Sequence, residues 1–114
     1  MNRPLSTSEM SLIRWMLENG VPEANAFLPQ LQHLQVTPSR CPCGCATLCF
    51  QLIDHDPAPP GVGILGDFFF DDAGLVAGVF LYQSDGLLSG LEVYGLEGEA
   101  PRHLPSELML RSIA

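Results

Sequence analysis

Four cysteines lie within nine residues of one another, and they are the side chains whose type and spacing most directly suggest chemistry. They are Cys41, Cys43, Cys45 and Cys49. Four thiolates are the number of ligands that a tetrahedral structural zinc ion takes. The spacing argues against a simple zinc site. Positions two apart in an extended strand are about 7 Å apart, whereas zinc holds its sulfurs within about 4 Å of each other.

Three interpretations of the cysteines stay open. The first is that Cys45 and Cys49 are small packing residues beside a tight glycine turn. The second is a structural zinc site, and the third is a reactive thiol, although redox cysteines more usually form a Cys-x-x-Cys motif at a helix N-terminus. A zinc site usually takes a second pair of ligands from a distant element. No spacing identifies such a ligand among the histidines, which are His33, His55 and His103.

A second candidate is a set of acidic and aromatic residues that the strand pattern places on one face of a sheet. Its members are Asp67, Phe69, Glu92 and Tyr94. Carboxylates paired across strands can act in acid–base catalysis, but more often they form the polar side of a half-exposed sheet. Aromatic residues favour interfaces, so the set predicts a surface for a basic protein partner. No Ser-His-Asp order or nucleophile elbow is present, and the sequence favours a non-enzymatic protein.

Two further motifs are predicted to be structural. The run from Gly61 to Gly66 matches the letters of the dinucleotide-binding pattern. That pattern must open a helix, whereas the residues that follow here, Asp67–Phe70, continue as strand. We therefore expect the glycines to permit a bend or bulge at the strand start. Asp54-His55-Asp56 leads into a proline-rich stretch and is predicted to be a solvated turn.

Composition limits the class of protein and its partners. The chain has 114 residues, 46% of them apolar, which predicts one domain over residues 1–114. It has 13 acidic residues and a net charge of −8, with five arginines and no lysine. Nucleic acid and anionic membranes both reward clustered basic residues, so neither is an expected partner. We see no signal peptide and no apolar run of about 20 residues, and we expect a cytoplasmic protein.

The predicted elements divide at the cysteines. Residues 6–19 predict a helix, because Ser6 and Glu9 form a capping box and Gly20 follows as a stop. A second helix, kinked at Pro29, is predicted from Pro22 to about Leu34. Alternating apolar residues predict strands over 46–54, 62–70, 75–83 and 87–94. Because short links favour antiparallel neighbours, the expected fold is α+β, with two N-terminal helices packed on a four-stranded antiparallel meander.

Four short segments are distinctive in combination: Phe27-Leu28-x-Gln30-Leu31, Cys41-x-Cys43-Gly44-Cys45, Gly78-Val79 and Leu91-Glu92-Val93-Tyr94. Together they resemble small uncharacterised bacterial proteins in which a Cys-x-Cys-Gly-Cys segment precedes a sheet with a Leu-Glu-Val-Tyr-like last strand. The resemblance covers about residues 22–108 and implies no activity or catalytic residue.

The expected function is that of an acidic protein-binding module. Some small acidic proteins of similar build are toxin-neutralising immunity proteins, so we expect an immunity-like role by analogy of size and charge. The competing hypothesis is a small structural-zinc domain that binds the metal through the cysteines of residues 41–49. Apart from this zinc ion, no cofactor is expected.

Overall fold

The computed structural model describes residues 1–39 and 46–112. Its helical elements are α1 (Thr7–Asn19), a 3₁₀ segment (Pro22–His33) and a short 3₁₀ turn (Glu107–Met109). Its strands are β1 (Arg3–Pro4), β2 (Leu34–Val36), β3 (Leu48–Leu52), β4 (Gly63–Asp72), β5 (Leu75–Ser84), β6 (Leu87–Gly95) and β7 (Arg111–Ser112). The predicted α+β class with helices in the N-terminal part is confirmed.

Helix α1 begins and ends where its sequence signals predict. The Ser6 hydroxyl accepts a hydrogen bond from the Glu9 amide at 3.1 Å, and the Glu9 carboxylate accepts one from the Ser6 amide at 2.8 Å. This reciprocal capping box satisfies two of the free amides at the helix start. At the other end, Gly20 lies against β4, where a Cβ atom would collide with the carbonyl oxygen of Leu65. The helix end therefore packs directly on the strand backbone.

The second helical element is built from 3₁₀ turns. It spans Pro22–His33 and contains Pro29, whose ring removes one backbone donor and disfavours a regular α-helix. Ala24 and Leu31 are its buried residues. The predicted position is confirmed to within a residue, since Leu34 already belongs to β2.

Over the described residues the sheet has seven strands in the order β1-β2-β3-β6-β5-β4-β7, and all of their pairings are antiparallel. The predicted four-stranded meander is therefore wrong. All four predicted strands are present as β3, β4, β5 and β6, but only the last three pair in sequence order. The first of the four pairs with the last, in the register Leu48 to Leu91 and Cys49 to Gly90.

The link from β3 to β4 explains the error. It runs from Ile53 to Val62 and is long enough to cross the end of the sheet, so β3 is not forced to lie beside the next strand. The other two links are tight turns. Ala73 and Gly74 both have positive φ, as do Asp85 and Gly86, which is the conformation of a type I′ hairpin.

The core lies between the sheet and α1. The buried residues of the helix are Leu12, Ile13, Met16 and Leu17, together with Glu9 at its start. They face buried side chains from the central strands, including Phe68, Val79 and Leu91. Trp15 packs edge-on against Phe68 with 4.9 Å between ring centroids. Among the described residues, no helix is long and apolar enough to cross a membrane.

Candidate binding face

Strand alternation gives the sheet a second face that points away from α1. We call it the open face and define it by Cys49, Asp67, Phe69, Gly78, Phe80, Tyr82, Gly90, Glu92 and Tyr94, which alternate with buried core residues along β3 to β6. It includes all four residues predicted to bind a partner. Glu92 is exposed, whereas Asp67, Phe69 and Tyr94 are half-buried.

Two glycines shape the open face. Gly78 pairs directly with Tyr94, and Gly90 pairs directly with Tyr82. A Cβ atom on either glycine would collide with the tyrosine ring beside it. Because the glycines carry no side chain, each ring lies directly over the glycine of the neighbouring strand, an arrangement that also shields the glycine main chain. The result is an aromatic surface that lies close to the backbone of the sheet.

The hydroxyl of Tyr94 reaches across β5 to a carboxylate on β4. It donates a hydrogen bond to Asp67 Oδ1 at 2.7 Å. Burial raises the pKa of Tyr94, and the hydrogen bond to Asp67 and the charge of that carboxylate raise the pKa further. Two of the predicted residues therefore form one unit, in which the phenol stays protonated and fixes the carboxylate.

Phe80 lies at the centre of the open face. Its ring centroid is 5.6 Å from that of Tyr82 and 6.0 Å from that of Tyr94. Across the strands, Phe80 pairs with Asp67 on β4 and with Glu92 on β6. The half-buried phenyl ring thus packs near two tyrosine rings, and its partner residues on both neighbouring strands are acidic.

The charge of this region is mainly negative. Burial raises the pKa of Tyr82, and the negative charges of Cys49 and Glu92 would raise the pKa further. At one corner, Arg111 forms an ion pair with Asp71 at 2.9 Å, with both side chains more than half exposed. Such an exposed pair contributes little stability, and it occupies one carboxylate outside the Asp67 and Glu92 pair.

A cleft of about 560 Å³ lies at the Tyr82 end of the open face, between β3 and the 57–62 loop. The cleft wall includes the half-buried, free thiol of Cys49. Thr37 also lines it, with a buried hydroxyl that has no hydrogen-bond partner among the described residues. Gln51, which lies on β3 with Cys49, accepts a hydrogen bond from Asn2 at 3.2 Å. The cleft is mixed in character, with a proline-rich wall facing polar side chains.

The predicted zinc ligands are only partly within the described structure. Cys41, Cys43 and Cys45 lie outside the described residues, and Cys49 lies on β3. Within residues 1–39 and 46–112, no group of three His, Cys, Asp or Glu side chains is arranged to hold a metal ion. Zinc binding by the four cysteines stays a prediction.

The motifs expected to be structural have structural roles. Gly63 and Gly66 lie within β4, and the pairing with β5 shifts between Ile64 and Gly66, so the expected bulge is confirmed. Asp54 has a positive φ in the turn after β3. The side chain of His55 is exposed, and its Nδ1 atom lies 3.0 Å from the carbonyl oxygen of Ile53.

The central aromatic residue was missed by sequence reasoning. Residues 75–83 are apolar on both faces, a pattern that predicts a strand buried on both sides and hides which face is open. Phe80 and Tyr82 are in fact half-buried on the open face. The available signal was the pairing of glycines with aromatics on neighbouring strands, which needs the strand register to be recognised.

Comparison of the chain with models of known protein families, with curated proteins and with solved structures gives no match. The resemblance to small bacterial proteins with a Cys-x-Cys-Gly-Cys segment stays a prediction.

Proposed function

We propose that the protein is a non-enzymatic binding protein whose open face docks a basic segment of a partner protein. The observation that carries the proposal is the central row of Asp67, Phe80 and Glu92, in which an aromatic residue pairs with an acidic residue on each neighbouring strand. Aromatic side chains supply contact area in interfaces, and complementary charge steers and orients the partner.

The charge of the chain supports a basic partner. A net charge of −8 repels nucleic acid and other acidic surfaces, whereas it accelerates encounter with a basic protein. The packing of the face supports docking without large rearrangement. Tyr94 and Tyr82 lie against glycine backbone, and the Tyr94 hydroxyl donates a hydrogen bond to Asp67. An immunity-like protein that neutralises a basic toxin is one form of this function.

Binding of defined peptides tests the proposal. We expect fluorescein-labelled nona-arginine or nona-lysine to bind the protein in about 0.1 M salt, and nona-glutamate to show no binding, as charge complementarity requires. Glu92→Lys should weaken the affinity for the basic peptides by roughly tenfold or more, because it reverses the most exposed charge of the central row.

Glu18→Lys is the matched control. It makes the same charge change at an exposed position of α1, on the opposite side of the sheet. Equal weakening by Glu92→Lys and Glu18→Lys would show that only the net charge matters and would contradict docking at the open face. Absence of binding by both basic peptides would also contradict it.

A further inference from the structure

We propose that the open face holds an arginine side chain of the partner, with its guanidinium stacked on Phe80 between the carboxylates of Asp67 and Glu92. This inference rests on the proposed function and specifies which basic residue anchors the partner. We call the three residues the Asp67–Phe80–Glu92 row.

The geometry of the row suits a flat cation. Asp67 and Glu92 pair with the same residue, Phe80, from opposite sides. Neighbouring strands are about 4.8 Å apart, so the two acidic residues are separated by about 10 Å across the sheet. A group stacked over the phenyl ring therefore lies between the two strand positions that carry the carboxylates. The tyrosine rings on either side of Phe80 limit the space along the strand direction.

Tyr94 acts on this site as a positioning residue. Its hydroxyl donates a hydrogen bond of 2.7 Å to Asp67 Oδ1, which orients the carboxylate without neutralising it. An ionised carboxylate offers about four lone-pair positions, so one bond from a phenol leaves capacity for the N–H groups of a ligand. The carboxylate is thus held in place before the ligand arrives, which lowers the entropy lost on binding.

Arginine fits the row better than lysine does. The guanidinium is planar, is weakly hydrated, stacks on aromatic faces and donates in a fork that matches a carboxylate. An ammonium group is compact and strongly hydrated, and it can approach one carboxylate without using the ring. Stacking on Phe80 therefore supplies most of the preference for arginine, and the oriented carboxylate of Asp67 supplies the rest through the guanidinium fork.

Other occupants fit the charge less well. Nucleic acid bases also stack on aromatic rings, but their phosphates would face the carboxylates of the row. A second copy of the chain carries the same net charge of −8 and would bring like charges together. The complementary occupant is a basic protein segment.

The test compares three peptides of equal length: nona-arginine, nona-lysine and nona-citrulline. Citrulline keeps the planar shape of arginine but has no charge. Anisotropy titrations at about 0.1 M salt should give roughly tenfold tighter binding for nona-arginine than for nona-lysine. We expect no measurable binding of nona-citrulline. Amide and ring shifts in NMR spectra should change most at Phe80 and its strand neighbours.

Variants locate the preference within the face. Phe80→Leu should remove most of the preference for arginine over lysine, since it removes the ring and keeps both carboxylates. Phe27→Leu is the matched control, because it removes a half-buried phenyl ring of the 3₁₀ segment, outside the open face, and should keep the preference. Tyr94→Phe should reduce the preference about threefold, by releasing Asp67. NMR dispersion verifies that each variant is folded.

The outcomes separate the two proposals. Equal affinities for arginine and lysine peptides, both weakened by Glu92→Lys but not by Glu18→Lys, would overturn the arginine site and leave the proposed function standing. A preference that is undiminished in Phe80→Leu would also overturn the arginine site. Failure of both basic peptides to bind would overturn both proposals.

Discussion

The hydroxyl of Tyr94 on β6 donates a 2.7 Å hydrogen bond to Asp67 on β4, over the backbone of Gly78 on β5. This contact spans β4, β5 and β6 on the side of the sheet away from α1. It also links the shape of the open face to its charge, because the ring that covers Gly78 is the one that holds the carboxylate.

Removing the Tyr94 hydroxyl should destabilise the fold. Tyr94→Phe keeps the ring on Gly78 but leaves Asp67 without its phenol donor. A hydrogen bond to a charged group contributes about 1.5–3 kcal/mol when well buried, and we expect about 1 kcal/mol here because both residues are half-buried. Urea unfolding at pH 7 measures the change. Asp67→Ala is the companion variant because it removes the acceptor, and no loss of stability in either variant would contradict a structural role for this hydrogen bond.

Both tyrosines should ionise above the ordinary phenol pKa of about 10. Burial is the main cause for each, and the bond to Asp67 makes the rise large for Tyr94. The unfolded chain releases these protons at a lower pH than the folded protein does. The stabilisation that the two phenols contribute is therefore fully present below about pH 10 and is lost as pH rises toward their folded pKa values.

Absorbance titration at alkaline pH, compared between the parent protein and Tyr94→Phe, measures both tyrosines. The variant retains only Tyr82, so the later-titrating phenol should disappear from the curve. A parent protein that titrates like free tyrosine would contradict the packed arrangement.

A methyl group at Gly78 should displace the Tyr94 ring. We expect Gly78→Ala to cost about 1–3 kcal/mol, the usual range for overpacking. In a Tyr94→Ala background the same substitution should cost much less, because the ring that obstructs the Cβ atom is gone. A double-mutant cycle from denaturant unfolding gives this coupling. Additive effects of the two substitutions would show that the collision is relieved in another way.

The ion pair between Arg3 and Glu9 should make stability depend on acid. Arg3 donates two hydrogen bonds of 2.8 Å to the Glu9 carboxylate, which lowers the pKa of Glu9. The stabilisation is present above the ordinary glutamate pKa and is lost as pH falls through the lowered folded value. We expect Glu9→Gln to flatten the pH dependence between about pH 5 and 3, measured by urea unfolding. Glu18→Gln is the control, because it removes an exposed carboxylate of the same helix outside the ion pair.

The zinc hypothesis predicts about one equivalent of metal in protein purified without chelators, as four thiolate ligands would bind one ion. Cys49→Ser should then lower the zinc content measured by mass spectrometry, because it removes one of the four sulfurs. A zinc content below roughly a tenth of an equivalent would exclude a resident structural site.

Local signals predicted the elements of this fold well, and long-range pairing was the part that sequence could not supply. The capping box of Ser6 and Glu9 depends on residues three apart, and the long strands follow from alternation over several residues. Strands β1, β2 and β7 have two or three residues each and are too short to show a period. The position of β3 beside β6 depends on a contact between distant parts of the chain.

The candidate site followed the same division. Asp67, Phe69, Glu92 and Tyr94 were placed on one face by alternation alone. The role of Phe80 depends on the register of β5 with both neighbours, and β5 is apolar on both faces. Register is set by the hairpin turns and by the glycine–tyrosine packing, which no single segment reveals.

The pairing of β3 with β6 has a consequence for how the chain folds. The two hairpins of β4, β5 and β6 involve close neighbours in sequence and can form quickly. Strand β3 can pair with β6 only after β6 has been synthesised, which is later than β4 and β5. During synthesis the β3 edge is therefore exposed until most of the chain has been produced. We expect β3 docking to be the slow step of folding, and the nascent chain to be most prone to aggregate before it occurs.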